Sequence, residues 1–177
     1  MGLIPEVALG CPSGQTMPVI GFGTISHTAY PLADAETTKS AILEAIKAGY
    51  RHFDTAFAYR SEQPLGEAIA EALRLGLVES RDELFITTKL WMTFAASDQI
   101  VPAIKLSLKL TQHINKTPVP NDYVVPLDIK SVWEGMEECQ NLGLAKGIGV
   151  NNFSCMKLEE LLSVAKILPV INQVTTI

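Results

Sequence analysis

In the segment HFDTAFAY a carboxylate and a phenol, Asp54 and Tyr59, stand five residues apart, and an ammonium, Lys89, closes the later apolar run LFITTK. Those three groups suit proton transfer. A free tyrosine ionises at about pH 10 and is a poor proton donor at neutral pH, but a nearby cation favours the phenolate and lowers that value. Lys89 would supply the cation. Burial alone would strip a lysine of its proton, so Asp54 as counter-ion keeps it charged, and the three would act as one unit. The same residues also fit a plainer assignment: an ion pair bridging neighbouring strands, with an aromatic in the loop above it.

The elements that must position these groups alternate along the chain. The first twenty residues read as a hairpin, with turn residues Pro12, Ser13 and Gly14 between two short apolar stretches. GFGT, residues 21–24, ends a first strand; residues 37–48 carry Ile42, Leu43 and Ile46 at helical spacing, with Gly49 as the stop. A strand over 50–54 follows, then a helix over 61–75 with Leu65, Ala68, Ile69, Ala72 and Leu73 on one face and Gly76 after it. A third strand over 84–89 leads into a helix over 97–110. Further on, the pattern predicts a helix over 128–142 with Asp128 as N-cap, a strand ending at Val150, a helix over 154–165 and a strand over 170–174. Between them, residues 111–127 hold three prolines and one short apolar patch, which reads as an irregular loop standing where a fourth strand is due.

Strands and helices in strict alternation mean βαβ units and a parallel sheet, either open and doubly wound or closed as a (β/α)₈ barrel. GFGT lacks the third glycine and the helix-opening position of a dinucleotide fingerprint. The barrel is favoured by where the polar residues fall. Thr24, Asp54, Lys89, Asn151 and Asn152 all lie at C-terminal strand ends, and those ends converge on the face where barrel enzymes build their sites.

Composition narrows the partners. The chain has 177 residues, 47% hydrophobic, with 14 basic against 19 acidic side chains and a net charge of -5. That balance, with no run of basic residues, argues against nucleic acid and anionic membranes as partners. No apolar run is long enough to span a bilayer, and the N-terminal residues have neither the basic nor the apolar region of a leader, so a cytosolic protein is expected. Cys11, Cys139 and Cys155 are too widely spaced for a zinc site or a disulfide framework and are expected as small buried residues; no metal is expected. His52 lies within a strand and reads as structural. His27 falls in a loop, and His113 directly follows a helix, on the barrel side away from the site.

The blocks GFGT, GYRHFDTAFAY, SRDELFITTKLW, GMEECQNLGLAKGIGVNNFS and VINQV stand in the order of the aldo-keto reductase family, and the wording most resembles its plant members, the chalcone, codeinone, methylecgonone and galacturonate reductases. The resemblance implies a (β/α)₈ barrel that uses NADPH to reduce an aldehyde or ketone without metal. Hydride passes from the nicotinamide to the carbonyl carbon while Tyr59 protonates the oxygen, tuned by Lys89 and Asp54. By the same resemblance Thr24 and Asp54 approach the nicotinamide ribose, Asn151, Asn152 and Gln173 hold the carboxamide, and Trp91 lines the substrate pocket.

Against the family pattern, the segment resembling LIHWP, whose histidine meets the substrate carbonyl, has no counterpart in residues 111–127. GVNNF stands where GVSNF is usual, exchanging a hydroxyl donor for an amide one. A barrel of this type needs about 250 residues, so 1–177 reads as a single incomplete domain, truncated to about five strands plus the hairpin. Three functional expectations follow: an active reductase; a catalytically defective truncated one, which the missing parts favour; and a non-enzymatic partner of a full-length relative, docking through open sheet edges.

Overall fold

The structure is a computed structural model and describes residues 4–10, 14–25, 34–112 and 128–175. Strands β1 (Glu6–Ala8) and β2 (Thr16–Pro18) pair with each other, as the hairpin pattern requires. The chain then runs β3 (Phe22–Gly23), α1 (Ala35–Lys47), β4 (His52–Asp54), α2 (Glu62–Arg74), β5 (Phe85–Thr87), α3 (Ser97–Thr111), α4 (Ile129–Asn141), β6 (Val150–Asn151), α5 (Cys155–Val164) and β7 (Asn172–Gln173). Every expected helix is present, with ends within two residues of the sequence pattern. The strands are shorter than expected, because flanking backbone groups bond elsewhere. The Tyr50 N–H, for example, bonds back to the Ala45 carbonyl at the end of α1 (3.0 Å), so β4 begins only at His52. Residues 113–127, with His113, and also His27 and Cys11, lie outside the described residues.

Two compact units result. In the first, β3, β4 and β5 form a parallel sheet in that order, with Gly23 opposite Asp54 and Asp54 opposite Thr87. Helices α1 and α2 bury Ile42 and Ile46, and Leu65, Ala68, Ile69 and Ala72, together with Phe53 from β4. The i, i+3, i+4 and i+7 spacing of these residues is what makes one face of each helix apolar. Truncating one of them, Leu65→Ala for example, removes a fully buried side chain at a cost of about 2–5 kcal/mol. Leu73, expected on the same face, is instead exposed: at the last turn of α2 the stripe has rotated past the core. The Asp34 carboxylate caps α1 by accepting from the Thr37 N–H (2.9 Å). Gly76, with φ 68°, takes the left-handed turn that lets the chain leave α2. Arg51 then pins both helix ends to the sheet, its guanidinium donating to the carbonyls of Ile46, Tyr50 and Leu77 at 3.0–3.2 Å.

The second unit packs α4 and α5 on the parallel pair β6 and β7, around Trp133, Ile148, Leu161 and Ile129. The Trp133 indole donates to the Ile167 carbonyl (2.9 Å), and buried Glu137 accepts from the backbone N–H groups of Lys166 and Ile167 (2.6 and 2.8 Å). One helix thus fixes the loop that enters β7. Gly135 allows α3 to approach α4; a Cβ there would lie 2.6 Å from Ile100 Cδ1. Cys139 is buried, as expected. Cys155 is not: it opens α5 directly after the N-cap Ser154, on the side of the helix away from Leu161, and is exposed. Leu162 on α5 is likewise exposed rather than part of the core face, since Leu161 takes the buried position.

His52 carries the structural role expected of it. Its Nδ1–H donates to the Pro18 carbonyl (3.1 Å), which leaves Nε2 to accept from the Thr87 hydroxyl (3.2 Å), while its ring meets Phe85 edge-on. Gly21 makes room for the ring, for a Cβ there would lie 2.9 Å from Nδ1. Burial is the largest influence on this imidazole and lowers its pKa below the ordinary 6.5. A neutral native imidazole gives stability that is complete above pH 6.5 and is lost as pH falls toward the lowered native value. We expect the urea midpoint of the chain to fall with acidification in that window, and His52→Gln to flatten that part of the profile.

Candidate active site

The register of the first sheet decides which side chains meet at its C-terminal edge. Pairing continues one residue beyond the strands: the Thr24 N–H donates to the Asp54 carbonyl (2.9 Å) and the Thr55 N–H to the Thr87 carbonyl (2.8 Å). Thr24, Asp54 and Lys89 are therefore delivered to one rim. Lys89 Nζ sits 2.6 and 2.7 Å from the two carboxylate oxygens of Asp54 and 3.2 Å from the Thr55 carbonyl. An ammonium has three N–H groups, and all three are used. Both side chains are about four-fifths buried, with 18% and 19% of their surface exposed. Removing either partner at that depth strands a charge, at a cost of about 3–5 kcal/mol.

Tyr59 arrives from the loop after β4. Residues Phe57–Tyr59 form one tight turn that ends on Arg60 in the left-handed region (φ 55°), with the Tyr59 N–H bonded to the Ala56 carbonyl (3.0 Å). The turn lays the phenol ring beneath the ammonium, 4.9 Å from Nζ to the ring centroid, within cation–π range. The acid, the cation and the counter-ion predicted from sequence are thus brought together. Contact with Lys89 is through the ring face. Among the described residues no hydrogen bond engages the phenol oxygen, which leaves it free to serve a ligand.

Four polar residues that the sequence reading passed over complete this rim. The Ser61 hydroxyl lies 2.6 Å from that of Thr24 and 2.8 Å from that of Thr55, and Thr24 also donates to the Asp54 carbonyl (3.0 Å). Thr24, Thr55 and Ser61 are all buried. Behind them Glu62, only 1% exposed, accepts from the Thr88 hydroxyl (2.6 Å); its Oε2 is buried with no partner among the described residues. Glu62 had a legible signal. It occupies the position three before Leu65 and seven before Ile69, so a carboxylate stands in the apolar stripe of α2.

In the second unit, Asn151, Asn152 and Gln173 lie together where β6 and β7 end. Asn151 Nδ2 donates to the Gln173 carbonyl (3.0 Å), Asn152 Nδ2 donates to Asn151 Oδ1 (3.0 Å), and Asn152 Oδ1 accepts from the Thr175 N–H (2.9 Å). Asn152 adopts φ 55°, a conformation that asparagine tolerates better than most residues. Asn172, not singled out from sequence, binds the Phe153 backbone through both ends of its amide (3.2 and 2.9 Å). Trp91, expected in the pocket wall, follows β5 in the first unit and is 37% exposed.

Parallel pairing of β3, β4 and β5 in one unit and of β6 and β7 in the other, with helices following strands along the chain, is the pattern of the (β/α)₈-barrel fold class. Residues 19–176 match the aldo/keto reductase family, and the chain belongs to it. It is 59% identical to a D-galacturonate reductase of Fragaria ananassa, over 98% of this chain and 59% of that protein. It is 53% identical to the 7-acetyl-epi-neemfruitin B aldo-keto reductase of Melia azedarach, over 97% of this chain and 57% of the other. Among solved structures it resembles a Bombyx mori aldo-keto reductase in complex with NADP, with 38% identity and a TM-score of 0.87 over 99% of this chain and 59% of that one. The chain therefore spans less than two thirds of the length of these relatives. Its pairing with the Fragaria protein runs over 192 residues against its own 177, so that relative has residues inside the matched span with no counterpart here.

Burial, the largest influence on Glu62, raises its pKa above the ordinary 4.5. Its protonated form stabilises the fold at low pH, and that stabilisation is lost as pH rises through the raised value. Glu62→Gln, which keeps the acceptor without the charge, is expected to remove this decline with rising pH above 4.5 from the urea midpoint. Glu62→Ala leaves the Thr88 hydroxyl without this acceptor and should cost about 1–3 kcal/mol at any pH.

Proposed function

We propose that this chain carries the proton-donating and nicotinamide-side residues of an NADPH-dependent reductase that converts a small aldehyde or ketone to an alcohol. The observation that carries the reading is the two-oxygen clamp of Asp54 on Lys89, with the Lys89 ammonium over the ring of Tyr59. When bound, the nicotinamide supplies the hydride. The residues present fit it: the Tyr59 hydroxyl has no competing protein partner among those described, and Asn151, Asn152 and Gln173 present amides at one edge of β6 and β7. Tyr59 donates its proton to the carbonyl oxygen as negative charge develops there. Lys89 stabilises the phenolate left behind, with Asp54 as its counter-ion. The choice of NADPH is supported by relatives named as NADPH-dependent codeinone reductases of Papaver somniferum and by structural neighbours solved with NADP or NADPH. A cytosolic location accompanies this reading.

A second reading is a catalytically defective member of the family. It is supported by the absence from residues 111–127 of a segment like LIHWP. In that case the preserved cluster marks ancestry, and association with a full-length relative through strand edges becomes the remaining role.

One titration separates these readings. Adding NADPH to the purified chain while following cofactor fluorescence, then supplying an aldehyde, should give saturable binding and aldehyde-dependent oxidation for an active reductase. Tyr59→Phe should then reduce turnover by about 10²–10⁴-fold with cofactor binding retained. Binding without oxidation supports the defective reading; no binding, with co-purification of a full-length reductase, supports the partner role.

A further inference from the structure

The hydroxyl cluster at the rim has a direction, and the direction follows from counting protons. Thr24 Oγ1 lies 3.0 Å from the Asp54 carbonyl, an atom that can only accept, so the single proton of Thr24 is committed there. The 2.6 Å contact between Thr24 and Ser61 must then be donated by Ser61. With the Ser61 proton so committed, the 2.8 Å contact between Ser61 and Thr55 must be donated by Thr55. The chain runs one way, from Thr55 through Ser61 to Thr24 and into the Asp54 carbonyl. Thr55 is 0%, Ser61 2% and Thr24 8% exposed, so water cannot readily supply an alternative donor to the inner two members.

Ser61 is also the N-cap residue of α2, where a serine side chain ordinarily accepts from the first helical N–H groups. Here it makes no such bond. Its hydroxyl is given to the threonines instead.

We propose that Ser61 is a positioning residue of the cofactor site: its donated hydrogen bond holds the Thr24 hydroxyl in place, while the Asp54 carbonyl takes the Thr24 proton and leaves that hydroxyl an acceptor only. A ligand group meeting the Thr24 hydroxyl must bring its own proton. That suits a ribose hydroxyl and disfavours a phosphate oxygen, which has only lone pairs to offer. The inference rests on the reductase reading for the identity of the ligand, but the direction of the hydroxyl chain is a property of the free protein. Ser61 also lies two residues after Tyr59, so the same hydroxyl ties the turn that carries the proton donor to the ends of β3 and β4.

Two measurements on the full chain test it. In NMR spectra without ligand, the Thr24 and Ser61 hydroxyl protons should exchange slowly. The Thr24 proton should couple to the Asp54 carbonyl carbon, and Ser61→Ala should remove protection from the Thr55 hydroxyl. A Thr24 proton directed at Ser61, or in fast exchange, overturns the proposal whether or not NADPH binds.

In NADPH titrations, Ser61→Ala should weaken binding about fivefold to tenfold. The double variant Ser61→Ala, Thr24→Val should bind no more weakly than Thr24→Val alone, because Ser61 acts through Thr24. Additive losses would sink the coupling. Should Ser61→Ala fail to fold, Ser61→Cys keeps the volume with a poorer donor and should show a smaller loss in the same sense. If the unaltered chain binds no NADPH, the reductase reading fails, and the hydroxyl protons still decide the role of Ser61.

Discussion

The ion pair between Lys89 and Asp54 is the constraint around which the first unit is arranged. An ammonium and a carboxylate four-fifths withdrawn from water are tolerable only if each keeps its partner and its remaining hydrogen-bonding capacity is filled. The sheet register provides this. With Asp54 opposite both Gly23 and Thr87, Lys89 two residues beyond Thr87 reaches the carboxylate, and its third N–H finds the Thr55 carbonyl. A slip of one residue between β4 and β5 would turn every side chain to the other face and leave both charges stranded. The arrangement therefore resists register error, and the phenol of Tyr59 gains a cation whose position it does not itself have to secure.

Around this pair, polar groups are buried in a pattern that favours one arrangement. Thr24 and Thr55 meet the Ser61 hydroxyl, and Thr88 meets the Glu62 carboxyl, through contacts of 2.6–2.8 Å, each joining a strand end to the start of α2. Such a network stabilises little in net terms, but it penalises every alternative packing that would leave one member unpaired. Glu62 Oε2 is the exception. A carboxyl that retains its proton carries less of a burial penalty than a carboxylate, and burial raises the Glu62 pKa in that direction.

Much of this was legible in the sequence because the governing signals are local. Periodic apolar residues placed all five helices, and glycine stops such as Gly76 bounded them. Strand-end positions picked out Thr24, Asp54 and Lys89 before any contact was known. The hydroxyl network was not legible, since Thr24, Thr55 and Ser61 are brought together only by pairing across residues far apart in the chain. The shortness of the strands was not legible for a related reason: whether Tyr50 pairs with a neighbouring strand or bonds back to α1 depends on where Ala45 ends up. Cys155 shows the limit of composition. Cysteine is commonly buried, yet the N-terminal position of α5 that it occupies faces outward.

The distribution of functional groups along the chain carries a further consequence. Each contact described for Asp54, Lys89, Thr24 and Ser61 is made by residues between 24 and 89, and Tyr59 belongs to the same stretch. The cluster is therefore local to this stretch, placed by the ends of three parallel strands and the start of one helix. The amides of Asn151, Asn152 and Gln173 depend on a separate strand pair with its own core around Trp133 and Leu161. The Tyr59, Lys89 and Asp54 cluster and the amides of Asn151, Asn152 and Gln173 thus rest on elements that fold around different apolar clusters. Loss of the amide contacts of Asn151 and Asn152 and loss of the Lys89–Asp54 pair need not accompany each other, because the forces that maintain them act on different parts of the chain.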